Sequence, residues 1–423
     1  MVLELINGRR VTASGTEPNE RVRVDAAGRV GALDGPVSGG GVIVDLSPSS
    51  LVYPGLVNAH DHLIGTFQPR VGAGPYRNWL HWDNDLKRSA VFRQRNMIDA
   101  AAIYRLGALK SILSGVTTVA DHIPGKISEP HLSEMPVDVA DARCLAHSVA
   151  SFRLPWGEGP QVEYARANET GQPFMVHVGE GYDEETRGEL RELDRMNALG
   201  PNTLLIHGVA FDDRDADLVA GRGASLAWCP GSNHFMFGAT TDVRMLRRAG
   251  VNICLGTDSL FTGTSGLLDE MRLARTCYNE RYGEDLSPRE LFSMVTVNAA
   301  RALHREGDVG AIAPGARGDL LCLDPGTGAD PWEALVQARA TDIRLLVCGG
   351  RPLLGLPGDR SFFEAAGQPF SQVALAVNGA APVERLVAGD PAGLLDRIRA
   401  RLGFRKELPF MRFPEPGRAR TTG

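Results

Sequence analysis

Residues 53–63 read YPGLVNAHDHL, an apolar segment that ends in two histidines separated by a single residue. Alternate side chains of a β-strand point to the same side, so His60 and His62 are expected to project together from the end of a buried strand. Two neutral imidazoles that converge in this way suit a divalent cation, at about 2.0–2.1 Å from each nitrogen. A pair of surface histidines beside a turn is the alternative interpretation.

The region around this stretch, about residues 51–305, alternates apolar segments with amphipathic ones. Seven strands are predicted, among them GVTTVADHI, ARCLAHSVAS, PFMVHVGE, NTLLIHGVA and VNICLGTDS, and the intervening segments have helical periodicity. This α/β alternation predicts parallel strands with crossover helices, and about 250 residues fit a (β/α)₈ barrel of the TIM type better than an open doubly wound sheet. The missing strand, taken as a degenerate fourth strand, is expected within residues 151–174.

Both ends of the chain contain short apolar strands interrupted by glycine, which predicts a small β-sandwich domain built from the two ends. The C-terminal region contains a hairpin-like segment, a helix and a basic tail whose tip is predicted to be disordered. The predicted division is residues 1–52 for the N-terminal part of the small β domain, 53–305 for the metal-dependent barrel, 306–360 for the C-terminal part of the β domain, and 361–423 for a C-terminal extension.

The composition argues against several classes of protein. A net charge of −6 spread along 423 residues provides no electrostatic support for a nucleic-acid partner. No apolar run is long enough to span a membrane, and the first residues, MVLELINGRRV, lack the features of a signal peptide. The six cysteines occur singly, which predicts free core thiols. We therefore expect a cytoplasmic protein without nucleic-acid or membrane partners, with a homodimer as a candidate assembly.

Further residues able to bind metal or move protons stand at the ends of other predicted strands. They are His177 and Glu180 in FMVHVGE, His207 in LLIHG, and Asp258 in ICLGTDS. The carboxyl ends of all strands of a (β/α)₈ barrel open on one face, where active sites lie. A lone histidine at a strand end is more often structural, but this joint occurrence indicates a catalytic metal centre.

The motifs YPGLVNAHDHL, GVTTVADH, HVGE, IHG, SLAWCPGSN, LGTDS and VNAARAL followed by GAIAPGARGDLLCLD resemble the amidohydrolase superfamily. More narrowly they are similar to its branch of adenosine, cytosine, guanine and S-adenosylhomocysteine deaminases and triazine hydrolases, over about residues 1–350. The resemblance implies one divalent metal, Zn²⁺ before Fe²⁺, bound by His60, His62, His177 and Asp258.

A single metal is expected because of a missing residue type. Superfamily members with two metals add a carboxylated lysine on the fourth strand, and this chain contains no lysine between Lys126 and Lys406. Asp61, between the two histidines of the first motif, is expected to face away from the metal and to form a salt bridge.

Chemical roles follow from the nature of the groups. A divalent metal lowers the pKa of a bound water from 15.7 to about 7. Asp258 can accept the proton of this water, His207 can orient it, and Glu180, with a pKa raised by its surroundings, can protonate a ring nitrogen. The resemblance assigns the same roles.

These roles predict hydrolysis of a C–N bond, with deamination of an amino-substituted nitrogen heterocycle and release of ammonia. Opening of a cyclic amidine or imide, or heterocycle-forming cyclisation, is an alternative reaction on the same site. A non-catalytic scaffold on the same fold is an alternative of another class, although such relatives lose metal ligands and this chain retains a full set.

Candidate substrate contacts lie in the loop after the first barrel strand and after the seventh. They are Arg70, Tyr76, Trp79, Trp82 and Asn233, with structural packing as the alternative. The remaining histidines fall into two groups. His122 and His147 are expected in outer-shell or core positions, and no metal binding is expected of His81, His131, His234 and His304.

Overall fold

The computed structural model describes residues 1–18, 20–34, 40–376, 382–408 and 410. Their strands are β1 (Leu3–Ile6), β2 (Arg9–Val11), β3 (Thr16–Pro18), β4 (Arg21–Val24), β5 (Val30–Leu33), β6 (Val42–Asp45), β7 (Leu51–Pro54), β8 (Leu56–Asp61), β9 (Val116–Asp121), β10 (Asp138–Val139), β11 (Cys144–Ala146), β12 (Phe174–Val178), β13 (Thr203–His207), β14 (Ser225–Trp228), β15 (Asn252–Leu255), β16 (Leu320–Leu323), β17 (Ile343–Cys348), β18 (Arg351–Gly355), β19 (Phe370–Leu375) and β20 (Val383–Ala388).

The helices alternate with the strands of the central region. They are α1 (Trp79–Arg88), α2 (Ala90–Asn96), α3 (Ala100–Ile112), α4 (Gly125–Leu132), α5 (Pro160–Thr170), α6 (Glu184–Arg195), α7 (Asp213–Arg222), α8 (Pro230–Phe237), α9 (Val243–Ala249), α10 (Leu267–Tyr282), α11 (Pro288–Met294), α12 (Val297–Ala302), α13 (Pro331–Gln337), α14 (Arg360–Ala365) and α15 (Pro391–Leu402). Short 3₁₀ helices cover Leu63–Gly65, Ala340–Asp342 and Pro357–Asp359.

Two parallel sheets form the centre of the molecule. One has the order β10-β9-β8 and the other the order β11-β12-β13-β14-β15. The backbone N–H groups of Thr257 and Asp258, just after β15, donate to the carbonyl oxygen of His60 in β8, at 2.9 and 3.1 Å. The last parallel strand therefore lies beside the first, and the predicted mixed α/β architecture with parallel strands is observed.

The unit of β12 and α6 shows how local sequence builds one wall of this region. All five residues of β12, FMVHV, are buried. Helix α6 begins after Asp183, whose side chain accepts a hydrogen bond from the backbone N–H of Thr186 at 2.9 Å, a favourable N-cap. Leu190 and Leu193 form part of the buried face of the helix. The helix packs beside the strand, so the end of β12 is held in a rigid setting.

The missing strand lies elsewhere than predicted. Strand β10 has two residues, pairs in parallel with β9, and precedes β11 by four residues. The prediction of a degenerate fourth strand within residues 151–174 is wrong, because that segment contains a loop and helix α5. The short strand is the third in chain order, and two residues leave no apolar run that sequence periodicity could detect.

The opening stretch forms two strands instead of one. Strand β7 pairs antiparallel with β16 and parallel with β2, whereas β8 belongs to a central parallel sheet. The break falls at Gly55, where a Cβ atom would lie 2.1 Å from Thr117 Oγ1. Only glycine allows the backbone to approach the neighbouring strand so closely. The chain passes at this residue from one sheet to the other.

Both chain ends contribute to the remaining sheets. One has the order β19-β20-β18-β17-β16-β7-β2-β3, and a second has the order β5-β4-β1-β6. A shared buried cluster includes Leu5, Val24, Val52, Leu320 and Val347. The two ends therefore pack together, while the β-sandwich and the boundaries of the domains stay predictions.

The C-terminal region continues this second assembly. Strands β19 and β20 form the predicted hairpin, and β20 extends the large sheet by pairing with β18. Helix α15 follows, as predicted. The turn of the hairpin and the tip of the basic tail lie outside the described residues.

The sequence also makes predictions about the state of the cysteines and about membrane-spanning segments. All six cysteines are buried and free, as predicted. None of the described helices combines the length and the apolar character required to cross a bilayer.

Candidate metal centre

Four imidazoles from the ends of three strands meet at one end of the parallel sheets. His60 is the penultimate residue of β8 and His62 follows that strand, His122 follows β9, and His177 lies in β12. Each offers a ring nitrogen, and these four nitrogens lie within 4.8 Å of one another. Residues separated by more than a hundred positions thus form one group of potential metal ligands.

The chemistry of His60 fits a cation. The side chain is fully buried, and neither ring nitrogen has a hydrogen-bond partner. Buried polar atoms without partners are rare, because each loses its interaction with water and gains nothing in return. Burial lowers the pKa of His60 to about 3, so its imidazole is neutral and offers a lone pair. Neutral imidazoles are ligands for zinc, iron, copper and nickel.

A carboxylate stands beside this group. Asp258 Oδ1 lies 3.3 Å from His62 Nε2 and 3.6 Å from His60 Nε2. Asp258 Oδ2 accepts hydrogen bonds from the hydroxyls of Ser232, at 2.6 Å, and Thr262, at 3.2 Å. Burial alone would raise the pKa of Asp258, but the neighbouring histidines keep it well below its ordinary value. The carboxylate is therefore charged and oriented toward the imidazoles.

Two catalytic candidates adopt unusual backbone conformations. Asp258 has φ of 54° and His207 has φ of 73°, in the left-handed region that non-glycine residues rarely enter. Such conformations cost free energy and persist where the surrounding structure enforces them, which is common at functional sites. His207 is the last residue of β13, and Asp258 lies three residues beyond the end of β15.

His207 and Glu180 form a second part of the site. His207 Nε2 lies 3.5 Å from Glu180 Oε1 and 4.0 Å from Asp258 Oδ2. Burial raises the pKa of Glu180 well above its ordinary value, and the negative charges of Asp258 and Glu189 raise it further. These surroundings therefore favour the protonated form of Glu180, which is the form that a proton donor requires.

Asn233 lies behind His207. Its Oδ1 atom is 2.8 Å from His207 Nδ1, and its Nδ2 atom donates to the hydroxyls of Thr240 and Thr241 at 3.2 and 3.3 Å. The side chain is fully buried, and both of its polar atoms are engaged within the protein. Asn233 is therefore placed to position His207, and its contact with a substrate stays a prediction.

The loop after β8 uses several of its candidate polar groups internally. Arg70 Nε donates to the carbonyl oxygen of Gly263, and Trp82 Nε1 donates to that of Val71, each at 2.8 Å. The hydroxyl of Tyr76 donates to an aspartate of α1 at 2.7 Å. These contacts shape the loop, so the structural alternative describes Arg70, Tyr76 and Trp82 better than substrate contact does.

Aromatic rings nevertheless border the site. The Trp79 ring lies 4.1 Å from that of His147, between centroids, and its buried indole N–H has no partner. Trp156, which sequence reasoning missed, lies with its ring centroid 5.5 Å from His122 and 5.9 Å from His62. Its loop between β11 and α5 has no periodic pattern, so no local signal marks it. Trp156 therefore borders the four-histidine group, whereas Trp79 contacts His147, which lies outside that group.

The remaining histidines lie apart from the four-histidine group, with one exception. His81, His131, His147, His234 and His304 are not among its members. His122, expected in an outer-shell or core position, lies within the group, because β9 pairs directly with β8 and ends at the same level.

Comparison with known proteins agrees with this geometry. The model of the amidohydrolase family matches residues 165–353. The chain is 26% identical to a 5'-deoxyadenosine deaminase of Methanothermobacter thermautotrophicus, over 72% of this chain and 82% of the relative. It is 29% identical to a 5-methylthioadenosine/S-adenosylhomocysteine deaminase of Thermococcus onnurineus, over 65% of this chain and 74% of the relative.

Solved structures share the fold. An adenosine deaminase of Xanthomonas campestris with bound zinc superimposes with a TM-score of 0.71, at 18% identity, over 94% of this chain and 97% of the other. The atrazine chlorohydrolase of Arthrobacter aurescens complexed with zinc has the same TM-score and identity, over 95% of this chain and 100% of the other. This likeness implies a barrel of the TIM type.

Fold and site together define an enzyme of the hydrolase class with a site for a divalent metal. Residues 165–353 match the amidohydrolase family, and the resemblance seen in the motifs is confirmed.

Proposed function

We propose that this enzyme hydrolyses a C–N bond with a single divalent metal, and that it deaminates an amino-substituted nitrogen heterocycle with release of ammonia. The observation that carries the proposal is the buried carboxyl group of Glu180. Its Oε1 atom lies 3.5 Å from His207 Nε2, beside the imidazole group, and burial raises its pKa well above the ordinary value. A proton donor in this position is what deamination requires, because addition of water to a ring carbon needs protonation of the neighbouring ring nitrogen.

The proposed ligands are His60, His62, His177 and Asp258, with Zn²⁺ as the first candidate and Fe²⁺ as the second. When bound, the cation supplies the Lewis acidity that makes water a nucleophile near neutral pH. The lone pairs of the neutral imidazoles and the charged carboxylate of Asp258 meet the requirements of such an ion.

The protein side chains then divide the proton transfers. Asp258, ionised and anchored through its second oxygen by Ser232, accepts the proton of the attacking water. Glu180 donates its proton to the ring nitrogen of the substrate. His207, held through Nδ1 by Asn233, directs Nε2 toward both carboxyl groups and orients the nucleophile. The pair of carboxyl groups thus holds opposite protonation states before the reaction, which suits one acid and one base.

The proposed substrate is a small planar heterocycle. Relatives named deaminases of 5'-deoxyadenosine and of 5-methylthioadenosine and S-adenosylhomocysteine make aminopurine nucleosides the first compounds to test. The ring of Trp156 beside His62 and His122 supports stacking of a planar ring. A cytoplasmic location and a homodimer are proposed with the same function.

The proposal includes the closure of the barrel and the division of the chain into domains. We propose that the two parallel sheets close into one barrel over residues 53–305, with a β-sandwich from residues 1–52 and 306–360 and an extension from 361–423. The hydrogen bonds from Thr257 and Asp258 to the carbonyl oxygen of His60 support closure between the last strand and the first.

Two measurements test the proposal. Metal analysis of the purified protein is expected to find about one zinc or iron per chain. An ammonia assay over aminopurine nucleosides, aminopyrimidines, pterins and aminotriazines is expected to find a substrate that releases ammonia. Substrate consumption without ammonia would favour ring opening or cyclisation, and a protein unable to bind either metal would contradict the proposed mechanism.

A further inference from the structure

Two histidines of the metal centre are held by consecutive carbonyl groups. His122 Nε2 lies 3.1 Å from the carbonyl oxygen of Ala146, and His177 Nδ1 lies 2.6 Å from that of His147. A carbonyl oxygen only accepts hydrogen bonds, so each of these ring nitrogens carries the proton. The other ring nitrogen, Nδ1 of His122 and Nε2 of His177, therefore has a free lone pair.

His122 has the same surroundings as the proposed ligands. Its side chain is fully buried, and its Nδ1 atom has no hydrogen-bond partner. Its ring is stacked on that of His177, with centroids 4.4 Å apart and an angle of 23°, and lies 5.3 Å from that of His60. A buried lone pair among neutral imidazoles finds no donor there, but a cation would satisfy it.

Metal-bound histidines usually donate their second ring N–H to a backbone carbonyl or a carboxylate, which fixes the tautomer and the direction of the lone pair. The end of β11 provides this arrangement twice, once for each stacked ring. His177 is a proposed ligand by its motif, and His122, just after β9, likewise donates one ring N–H to a carbonyl group, with the roles of its two nitrogens reversed.

We propose that His122 is a fifth protein ligand of the cation, acting through Nδ1. The inference rests on the proposed metal centre and goes beyond the four ligands that the motifs imply. It predicts a site with four imidazoles and the carboxylate of Asp258. Such a site has one more nitrogen donor than the set of His60, His62, His177 and Asp258.

Cobalt substitution tests this proposal without an assay of activity. Apoprotein prepared with a chelator is titrated with Co²⁺, whose visible absorption strengthens as the number of ligands falls. We expect H122L to absorb more strongly per bound cobalt than the wild type, and to bind Zn²⁺ at least about tenfold more weakly. X-ray absorption of the zinc-loaded proteins should count one fewer imidazole in the variant.

A second variant separates coordination from packing. H122Q keeps an amide N–H able to donate to the carbonyl of Ala146 but lacks the imidazole lone pair. It is expected to fold like the wild type and to share the spectral change of H122L. H147N is the matched control, because His147 is buried nearby, lies outside the four-histidine group, and keeps its backbone carbonyl after substitution.

The outcomes distinguish this inference from the proposed function. If the wild type binds metal and both His122 variants retain its affinity, spectrum and imidazole count, His122 is not a ligand, and the four-ligand site stands. If the wild type binds no divalent metal, the proposed function fails together with the inference. Loss of one imidazole in both variants and not in H147N would establish the fifth ligand.

Discussion

Lys110 Nζ lies 2.7 Å from Asp61 Oδ2, and both side chains are almost completely buried. Asp61 stands between His60 and His62 and faces away from them, into a network with Asn58 and Thr257. Thr257 directly precedes Asp258 in the chain. The ion pair therefore joins helix α3 to the strand end and the loop that carry three of the proposed metal ligands, and it is the salt bridge expected of Asp61.

Removal of the lysine charge should destabilise the protein strongly. In K110M the carboxylate of Asp61 stays buried without its cation, which is expected to lower the free energy of unfolding by about 3–5 kcal/mol. Chemical denaturation measures the change. The double variant D61N/K110M should recover part of the loss, because no uncompensated charge remains in it.

A surface pair provides the control for this prediction. Arg105 pairs with Glu134 at 2.7 Å, and their side chains are 47% and 64% exposed. R105M is expected to change the free energy of unfolding by no more than about 1 kcal/mol. Equal effects of K110M and R105M would show that burial does not increase the contribution of the Lys110–Asp61 pair to stability.

The proton-donor role of Glu180 predicts a loss of turnover without a loss of metal. Glutamine has nearly the shape of a protonated glutamic acid but cannot deliver its proton, so E180Q should lower turnover by about 10²–10⁴-fold. Metal content should match the wild type, since Glu180 is not a proposed ligand. E184Q, at the exposed start of α6, is the control and should keep full activity. Unchanged turnover in E180Q would remove the acid assignment.

The hydrogen bond from His207 to Asn233 predicts a positioning effect. In N233A the Nδ1–H of His207 loses its acceptor, so the ring can change its tautomer and orientation. Loss of such supporting partners typically costs about 10–100-fold in activity. We expect this loss to appear as a lower kcat and as a shifted dependence of kcat on pH, while the metal content stays that of the wild type. N252A, at the start of β15 and therefore at the opposite end of the strands, should leave both unchanged.

Glu189 predicts a specific dependence of stability on pH. It is buried and accepts hydrogen bonds from the backbone N–H groups of Ala150, at 2.9 Å, and Gly179, at 2.8 Å. Burial raises the pKa of Glu189 to about 8, although these donors oppose the shift. The folded protein thus holds a proton that the unfolded chain releases near its ordinary pKa of 4.5.

The direction in which stability changes with pH follows from this difference in bound protons. The stabilising contribution of Glu189 is complete below pH 4.5 and is lost as the pH rises toward 8, with a slope of at most about 1.4 kcal/mol per pH unit. E189Q has no proton to lose. E189Q is expected to be less stable than the wild type, because its amide nitrogen faces a backbone N–H. The difference in their free energies of unfolding should therefore be largest at pH 5 and should narrow toward pH 8.

Thermal unfolding of the metal-free proteins at several pH values measures this effect, because metal binding would add its own pH dependence. E184Q, on the same helix and exposed, is the control and should follow the wild type. Parallel curves for wild type and E189Q would contradict the raised pKa.

Much of the candidate site could be predicted from the chain alone. His60, His62, His177 and Asp258 were recognisable because each stands at the end of an apolar run, and parallel strands present their carboxyl ends on one face. Glu180 could be predicted in the same way, three residues beyond His177. Local periodicity carries this information, because it needs only the direction and the end of each strand.

Contacts between neighbouring elements were decided by packing. The partner of Asp61 is Lys110, 49 residues along the chain, and nothing in either local sequence identifies the other. The two residues of β10 are too few to form a pattern. Trp156 reaches the site from an irregular loop, and His122 joins the group through the pairing of β9 with β8.

The sequence by itself therefore determined the class of fold, the family and the residues at the strand ends, because these depend on periodicity and on short motifs. Only the tertiary structure decided which polar groups face one another across strands: the lone pair of His122 toward the imidazoles, and Asn233 behind His207. The physical reason is that a hydrogen bond or an ion pair depends on distances of a few ångströms between segments remote in the chain, and those distances are set by packing.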